Sequence, residues 1–205
     1  MSRQSPKGEQ ERTSSQEYLW SAVFRYTCRI TAPEKSGQSD RSSNVEFTRE
    51  LLGGKGYGLR EMALLDLPVP PGFILTTEAC RAFLRSNETL PNDIQEEILA
   101  QIALLEQETG LGLGNTNRPL FVSARSGAPI SMPGAMDTIL NIGINDETVE
   151  VLAHHIGREA AMESYRRLVI DFASSAFGIE KAAFAESHTA EEAKRFFAYH
   201  TGMQF

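Results

Sequence analysis

The sequence predicts a mixed α/β or α+β domain, because short β-branched and aromatic runs alternate with segments of helical periodicity along most of the chain. Two further observations support one folded domain. The chain has 205 residues, which suits one domain with a tail, and 41% of them are hydrophobic, which is enough for a core. The sequence shows no internal repeat.

The charge and the composition argue against several classes of function. The net charge is −7 at pH 7, whereas a nucleic-acid surface needs a clustered excess of Lys and Arg. A nucleotide site is still compatible, because it needs only two or three local cations. No apolar stretch approaches the roughly 20 residues of a membrane span. Cys28 and Cys80 lack a paired motif and predict reduced thiols in an intracellular protein.

Residues 1–17 are predicted to form a disordered polar tail. They include Glu9, Glu11 and Glu17, whereas a transit peptide would be poor in acidic residues and a secretory signal would have an apolar centre. The prediction is a cytoplasmic protein, and an organellar location is the alternative, because the tail also contains Ser and Arg. Residues 18–205 are predicted to be one domain.

The first elements of this domain are a strand and a helix. Residues 18–30 mix aromatic and β-branched side chains, which favours a strand or hairpin arm, and the polar residues 31–44 follow as a loop or insertion. Helical spacing then begins at Gly56 and ends before Pro68. Phe73–Leu75 is predicted to be a short strand.

Two helices are predicted next. Thr76 or Thr77 caps a helix that ends near Ser86. A longer helix runs from Pro91, because proline suits the first turn, to Gly110, because glycine suits the position after the last turn. Its apolar residues recur at spacings of three and four, at Ile94, Ile98, Ile102 and Leu105.

Two strands and a loop are predicted in the second half. An apolar run ends at Arg125, a loop rich in Gly, Ser, Pro and Met follows, and Thr138–Ile144 is apolar again. Asp146 is the predicted cap of a helix that ends near Ile156.

Two further helices complete the prediction. Glu159–Phe177 has helical periodicity and stops before Gly178. The sequence TAEE at 189–192 has the pattern of a capping box and opens a last helix to about Thr201. The apolar face of the first of these helices is predicted to contain Met162, Tyr165, Leu168 or Val169, Phe172 and Ala176.

The loop after Arg125 has the composition of a site for a polyanion. Small side chains let backbone N–H groups approach phosphate oxygens, and an arginine at the strand end supplies a planar, permanently charged fork. On chemistry alone, an ordinary turn with a surface arginine is an equal alternative.

A second glycine-rich stretch, GGKGYG at residues 53–58, precedes the first predicted helix. Backbone N–H groups and the helix dipole favour an anion there, and Lys55 adds a full charge. The stretch is not a Walker A loop, which needs Ser or Thr after the lysine, and its alternating glycines do not fit GxGxxG. Taken alone, it is as compatible with a structural turn as with a ligand loop.

Two blocks of the sequence resemble one enzyme family. ELLGGKGYGLREMALLDLPVPPGFILTTEAC, at residues 50–80, and VSARSGAPISMPGAMDTILNIGIND, at residues 122–146, resemble the front part of pyruvate, phosphate dikinase and occur in the expected order. Phosphoenolpyruvate synthase is a more distant relative. The resemblance covers roughly residues 49–205 and weakens after Asp171, and the polar stretch 31–44 departs from the family pattern.

The resemblance implies that both blocks bind ATP phosphates. In the family, the GGKG lysine and the arginine of the second block reach these phosphates, and Lys55 and Arg125 occupy those positions here. SMPGAMDT resembles the glycine-rich loop that covers the phosphates, with Ala135 where the family usually has methionine. The implied loop residues are Gly134, Asp137 and Thr138, and the further loop candidates are Gly54, Gly56, Ser131 and Met136.

The resemblance also implies a fold and a reaction. The family has an ATP-grasp nucleotide site and interconverts ATP, phosphate and pyruvate with AMP, pyrophosphate and phosphoenolpyruvate, using magnesium and a phosphorylated histidine on a swivelling domain. This chain corresponds to the first subdomains only, because it contains no TxGGxxxH-like segment. The expected ligand is ATP or ADP with Mg²⁺, the expected partners are the remaining dikinase domains, and neither a complete catalytic set nor metal ligands are expected in this chain.

Three interpretations remain open from the sequence. The chain is the nucleotide-binding part of a dikinase, or a stand-alone nucleotide-binding or regulatory module, or a decayed truncated remnant. The genomic neighbourhood discriminates between the first two, since a downstream frame that encodes the other domains supports the first.

Overall fold

The computed structural model describes residues 27–30, 47–126 and 138–205. The predictions for the tail 1–17, the strand residues 18–26 and the polar stretch 31–44 lie outside these ranges, and they stay predictions. The same holds for four of the predicted loop residues, namely Ser131, Gly134, Met136 and Asp137.

A two-stranded antiparallel sheet is the first described feature. β1 (Thr27–Arg29) pairs with β2 (Phe73–Leu75), so both predicted strands are confirmed within the described residues. Polar contacts attach β1 to a later helix, because Thr27 Oγ1 donates to Glu97 Oε2 at 3.2 Å and Gln101 Nε2 donates to Thr27 Oγ1 at 3.2 Å. Thr27 and Gln101 are both buried, so this polar link belongs to the interior.

The GGKG stretch lies inside the first helix and not before it. α1 (Arg49–Leu64) is capped by the hydroxyl of Thr48. Inside it, Gly53 leaves the helical region with φ 70° and ψ 164°, so α1 consists of a short first segment and a longer second segment that begins at Gly54. The helix start predicted at Gly56 is wrong, because the cap opens the helix earlier and a glycine accommodates the kink.

The next two predicted helices are confirmed as α2 (Thr77–Arg85) and α3 (Asn92–Thr109). Gly110 ends α3 in the left-handed conformation with φ 65°, as predicted. Pro91 lies at the cap and not in the first turn, because its ψ of 144° is extended. Of the predicted apolar face, Ile94 and Leu105 are buried, and Ile98 and Ile102 are half-buried.

Two more strand pairs follow. β3 (Gly112–Leu113) and β4 (Pro119–Leu120) are parallel, whereas β5 (Val122–Arg125) and β6 (Thr138–Ile142) are antiparallel. The two predicted strands on either side of the glycine-rich loop are therefore confirmed, and they pair with each other.

A close backbone approach ends β6 two residues before the predicted end at Ile144. Gly143 has φ 112°, and a Cβ atom on it would lie 2.4 Å from the carbonyl oxygen of Leu120. Only glycine fits this position without a backbone shift. The hydroxyl of Thr148 donates to the carbonyl oxygen of Gly143 at 2.8 Å, so the same turn is held from the following helix.

The helix after β6 is confirmed as α4 (Thr148–Ile156), but its predicted cap is wrong. Asn145 Oδ1 accepts two backbone N–H bonds at 2.8 and 2.9 Å at the start of α4. The carboxylate of Asp146 instead accepts a hydrogen bond from the Tyr165 hydroxyl at 2.9 Å. The side-chain amide of Asn145 therefore satisfies backbone N–H groups just before and at the helix start, and Asp146 makes a tertiary contact instead.

The last two helices are confirmed as α5 (Arg158–Phe177) and α6 (Ala190–Thr201), with a short 3₁₀ helix at Lys181–Phe184 between them. Gly178 ends α5, and the predicted capping box of α6 is present. Ala176 is exposed, contrary to prediction, because the neighbouring turn places Ala173 inside. The largest fully buried side chains here are Tyr165, Val169, Phe184 and Phe197.

The predicted mixed α/β class is confirmed by these helices and small sheets. The larger hydrophobic core joins α5 and α6 to β6, and a smaller cluster around Ile94 lies between α2 and α3. Across the described ranges, no helix combines the length and the apolar character that a membrane crossing requires.

Candidate functional site

Lys55 lies in the first turn of the second segment of α1, directly after the kink at Gly53. Its side chain is exposed and makes no hydrogen bond or ion pair with the residues that the structure describes. The start of a helical segment carries the positive end of the helix dipole. Lys55 therefore adds a full positive charge at a position where the backbone already favours an anion.

The two neighbouring glycines differ in their surroundings. Gly56 is buried, and a Cβ atom on it would lie 3.1 Å from the Ile74 side chain, so this glycine lets α1 pack closely on β2. Gly54 is half-buried and begins the helical segment. Gly56 thus has a packing role, which the sequence did not indicate, since Gly56 was predicted only as a candidate residue of the ligand loop.

Arg125 and Thr138 lie side by side on the β5–β6 pair. The register sets Arg125 opposite Thr138, at the end of the pair from which the glycine-rich loop departs. Directly opposed residues of antiparallel strands project from the same face. The Arg125 side chain is exposed and has no partner among the described residues, and Thr138 is half-buried.

Apolar packing fixes the strands that carry Arg125 and Thr138. Phe121, Ile139 and Ile142 pack against the larger hydrophobic core. A register shift between Val122 and Ala124 marks an irregularity in β5 two residues before its end. The arginine is thus the exposed end of a strand pair whose opposite part is half-buried.

The structure brings together some of the predicted site residues. Arg125 and Thr138 are neighbours, and Lys55, Gly54 and Gly56 are neighbours. The two groups belong to different packing units, because α1 packs on β2 and α2, whereas β5 packs on β6 and β6 packs on α5.

Two cation–π contacts that the sequence analysis missed cross the kink at Gly53. The Arg49 guanidinium lies 5.5 Å from the centroid of the Tyr57 ring, and the Arg60 guanidinium lies 4.4 Å from the centroid of the Phe47 ring. The alternation of basic and aromatic residues on both sides of GGKG was the signal in the sequence. It could not be interpreted without the kink that brings the pairs together.

A separate charged cluster lies on α5. The Glu163 carboxylate accepts hydrogen bonds from Arg166 at 2.7 and 2.9 Å and from Arg167 at 2.7 Å. Arg166, and then Arg167, lower the pKa of Glu163 to about 2. Because both arginines are already paired with this carboxylate, the cluster holds the helix surface together and offers no unpaired cation.

Within residues 27–30, 47–126 and 138–205, no group of three or more His, Cys, Asp or Glu side chains is arranged to hold a metal ion. No described residue is therefore assigned to Mg²⁺.

The sequence was compared with known proteins. Residues 49–90 match the family model described as "Pyruvate phosphate dikinase, AMP/ATP-binding domain". Pyruvate, phosphate dikinase of Rhizobium meliloti (strain 1021) is 41% identical over 160 residues, which are 78% of this chain and 18% of that protein. Pyruvate, phosphate dikinase 2 of Oryza sativa subsp. japonica is 44% identical over 153 residues, which are 75% of this chain and 17% of that protein.

A third similar protein is the chloroplastic pyruvate, phosphate dikinase 1 of Arabidopsis thaliana, which is 44% identical over 146 residues, or 71% of this chain and 15% of that protein. The chain therefore spans less than a fifth of the length of these curated relatives. A match over 160 of the 205 residues must include residues 46–160, and so both Lys55 and Arg125.

The described chain is a mixed domain of helices and strands, and part of it matches an AMP/ATP-binding family model. The resemblance seen in the sequence is confirmed. The chain is related to the amino-terminal part of the pyruvate, phosphate dikinases.

Proposed function

We propose that this chain binds the phosphates of an adenine nucleotide and that Lys55 and Arg125 are the main cations that contact them. The observation that carries this proposal is that both side chains are exposed and make no hydrogen bond or ion pair with another described residue. Each of them also adjoins a glycine-rich segment of the sequence. A cation without such a partner can bind a phosphate without first breaking an ion pair or a hydrogen bond.

The secondary contributors in this proposal are the loop residues. Thr138, beside Arg125 on the strand pair, offers a hydroxyl donor. Gly134 and Ser131 would bring backbone and hydroxyl donors to the phosphates, and Asp137 would orient a lysine or a metal-bound water, because a bare carboxylate repels phosphate. Gly54 would allow close approach at the helix start, and Met136 would pack in the loop.

In the larger reaction, we propose that this chain corresponds to the first subdomains of an ATP-grasp domain of a dikinase-like phosphotransferase. The relatives are named pyruvate, phosphate dikinase, and they are several times longer than this chain. Phosphoryl transfer needs several groups that converge on the phosphates, so positioning is the contribution open to this chain's residues. Magnesium, when bound, would neutralise phosphate charge. Residues outside this chain would supply its ligands, the histidine acceptor and the pyruvate site.

A second interpretation is a stand-alone nucleotide-binding or regulatory module, and a third is a decayed remnant. We favour the dikinase interpretation because identities of 41–44% extend over at least 71% of the chain. The proposed location is the cytoplasm. The name of the Arabidopsis relative includes the word chloroplastic, which supports an organelle as the alternative.

Calorimetric titration of the purified chain with ADP and ATP, with and without Mg²⁺, tests the proposed function. We expect saturable binding of both nucleotides. A folded chain that shows no heat of binding with either nucleotide at millimolar concentration would contradict nucleotide binding. Binding together with acid-labile label on the protein from β-labelled ATP would show that the chain carries its own phosphate acceptor, contrary to the proposal.

A further inference from the structure

Two cation–π contacts connect the chain before Gly53 with the second segment of α1, and the cation and the ring have opposite chain order in the two contacts. In one, the cation of Arg49 precedes the kink and the ring of Tyr57 follows it, at 5.5 Å. In the other, the ring of Phe47 precedes the kink and the cation of Arg60 follows it, at 4.4 Å. The two contacts bracket the turn that begins with Gly54 and contains Lys55.

The Arg60 guanidinium has a second set of contacts, on β1. Its NH1 group donates to the carbonyl oxygen of Arg29 at 3.1 Å and lies 3.6 Å from the Cys28 sulfur. One side chain therefore joins three parts of the molecule, namely the second segment of α1, the residue before its cap and strand β1. A planar fork suits such a position, because it stacks on a ring and donates hydrogen bonds at the same time.

The direction in which Lys55 projects depends on the angle of the kink. Gly53 has φ 70°, in a region where glycine moves freely between conformations. The second segment is held on one side by the contact of Gly56 with Ile74. Arg60 and Phe47 supply a second constraint, because they tie that segment to the chain that precedes the kink.

We propose that Arg60 is a positioning residue for Lys55. It holds the kink of α1 at the angle that presents the lysine to the nucleotide phosphates, and it acts through Lys55 without touching the nucleotide itself. This inference rests on the proposed function, because it takes Lys55 as a phosphate contact. It adds a residue outside the glycine-rich segments to the site.

A double-mutant cycle on the full chain tests this role. Arg60→Met keeps the length of the side chain and removes its charge and its donors. We expect Arg60→Met to weaken ADP binding about three- to tenfold in calorimetric titrations, and to change it less than about twofold when Lys55 is already replaced by Ala. Arg60→Lys, which keeps the charge, should recover part of the affinity.

Two controls isolate the effect. Arg81→Met removes an exposed cation on α2 that pairs with Glu78, and it should leave the affinity for ADP unchanged. Phe47→Leu keeps an apolar side chain and removes the ring, so it should reproduce the coupling to Lys55 if Arg60→Met does not fold. Amide hydrogen exchange at residues 54–57 should accelerate in Arg60→Met and not in Arg81→Met.

The outcomes separate this inference from the function on which it rests. If the unmodified chain binds ADP and Arg60→Met weakens binding equally with and without Lys55, the positioning role is wrong. No effect of either Arg60→Met or Phe47→Leu would also overturn it. If the folded unmodified chain binds no ADP, the proposed function itself is overturned, and the role of Arg60 in it falls with it.

Discussion

Arg125 and Thr138 are opposed across the β5–β6 strand pair, although twelve residues separate them in the sequence. Their side chains share a face at the open end of the pair, so a guanidinium and a hydroxyl stand together where the glycine-rich loop leaves and returns. A cation, Arg125, therefore precedes the loop, and a neutral hydrogen-bond donor, Thr138, follows it. This arrangement suits an anion that carries several oxygens.

The first prediction concerns the number of phosphates. If the cations supply most of the binding free energy, the affinity should rise from adenosine to AMP and again to ADP. Each added phosphate that contacts one of the cations should raise the affinity roughly tenfold. Competition titrations with the four compounds adenosine, AMP, ADP and ATP measure this. Equal affinities for adenosine and ADP would show that the base and not the phosphates is recognised.

The second prediction concerns the turn after β6. Gly143→Ala should destabilise the fold by at least about 2 kcal/mol, because the residue has φ 112° and the new Cβ would lie 2.4 Å from the Leu120 carbonyl oxygen. The matched control is Gly114→Ala, at φ 76° with no atom within 4 Å of the new Cβ, which should cost only about 1 kcal/mol. Urea unfolding measures both. Equal losses would show that the contact with Leu120 has no effect on stability.

Features that depend on neighbouring residues could be predicted from the sequence. Thr189 and Glu192 form the predicted capping box, and Gly178 ends α5 as predicted, because caps are decided by residues within one turn. The strand pair around the loop was also predictable, because its apolar runs are local.

The errors arose where a distant contact decided the outcome. Asp146 was expected to cap α4, but it accepts a hydrogen bond from Tyr165, nineteen residues away, and Asn145 accepts the backbone N–H of Thr148 at the helix start. The contact of Arg60 with Phe47 joins residues on either side of the kink at Gly53, so it was not visible in a local pattern. The roles predicted for the cations and glycines of the candidate site stay predictions, and the contacts that constrain these residues could not be predicted from the sequence.

The third prediction concerns stability in acid. The pKa of Glu163 is lowered to about 2 by Arg166 and Arg167, so this carboxylate stabilises the folded state above the ordinary glutamate pKa of 4.5. That stabilisation is lost as the pH falls from about 4.5 towards 2. Glu163→Gln should remove about 1 kcal/mol at pH 7, a value reduced for solvent screening, and flatten the acid dependence of the unfolding free energy.

A matched control for this prediction is Glu159→Gln, on the same helix. Glu159 is exposed and has no ion pair with a described residue, so its replacement should change the acid dependence of stability less than Glu163→Gln does. Denaturant unfolding between pH 2 and 7 compares the two variants. The assignment is wrong if Glu163→Gln keeps the slope of the unmodified protein.

The fourth prediction concerns the polar tail. Its composition offers almost nothing apolar to bury, so deletion of residues 1–16 should leave the melting temperature within experimental error. Differential scanning calorimetry of the shortened and full chains measures this. A clear decrease would show that the tail contributes to the folded state.

The affinity of Arg125→Ala for ADP tests the central claim most directly. A charge-assisted contact contributes about 1.5–3 kcal/mol, so this substitution should weaken ADP binding at least tenfold, and Lys55→Ala should have an effect of the same order. Arg195→Ala is the matched control, because Arg195 is an exposed arginine on α6 without a partner in the described chain, and its loss should change nothing. If folded Arg125→Ala binds ADP as tightly as the unmodified protein, the phosphate-binding site proposed for this chain is wrong.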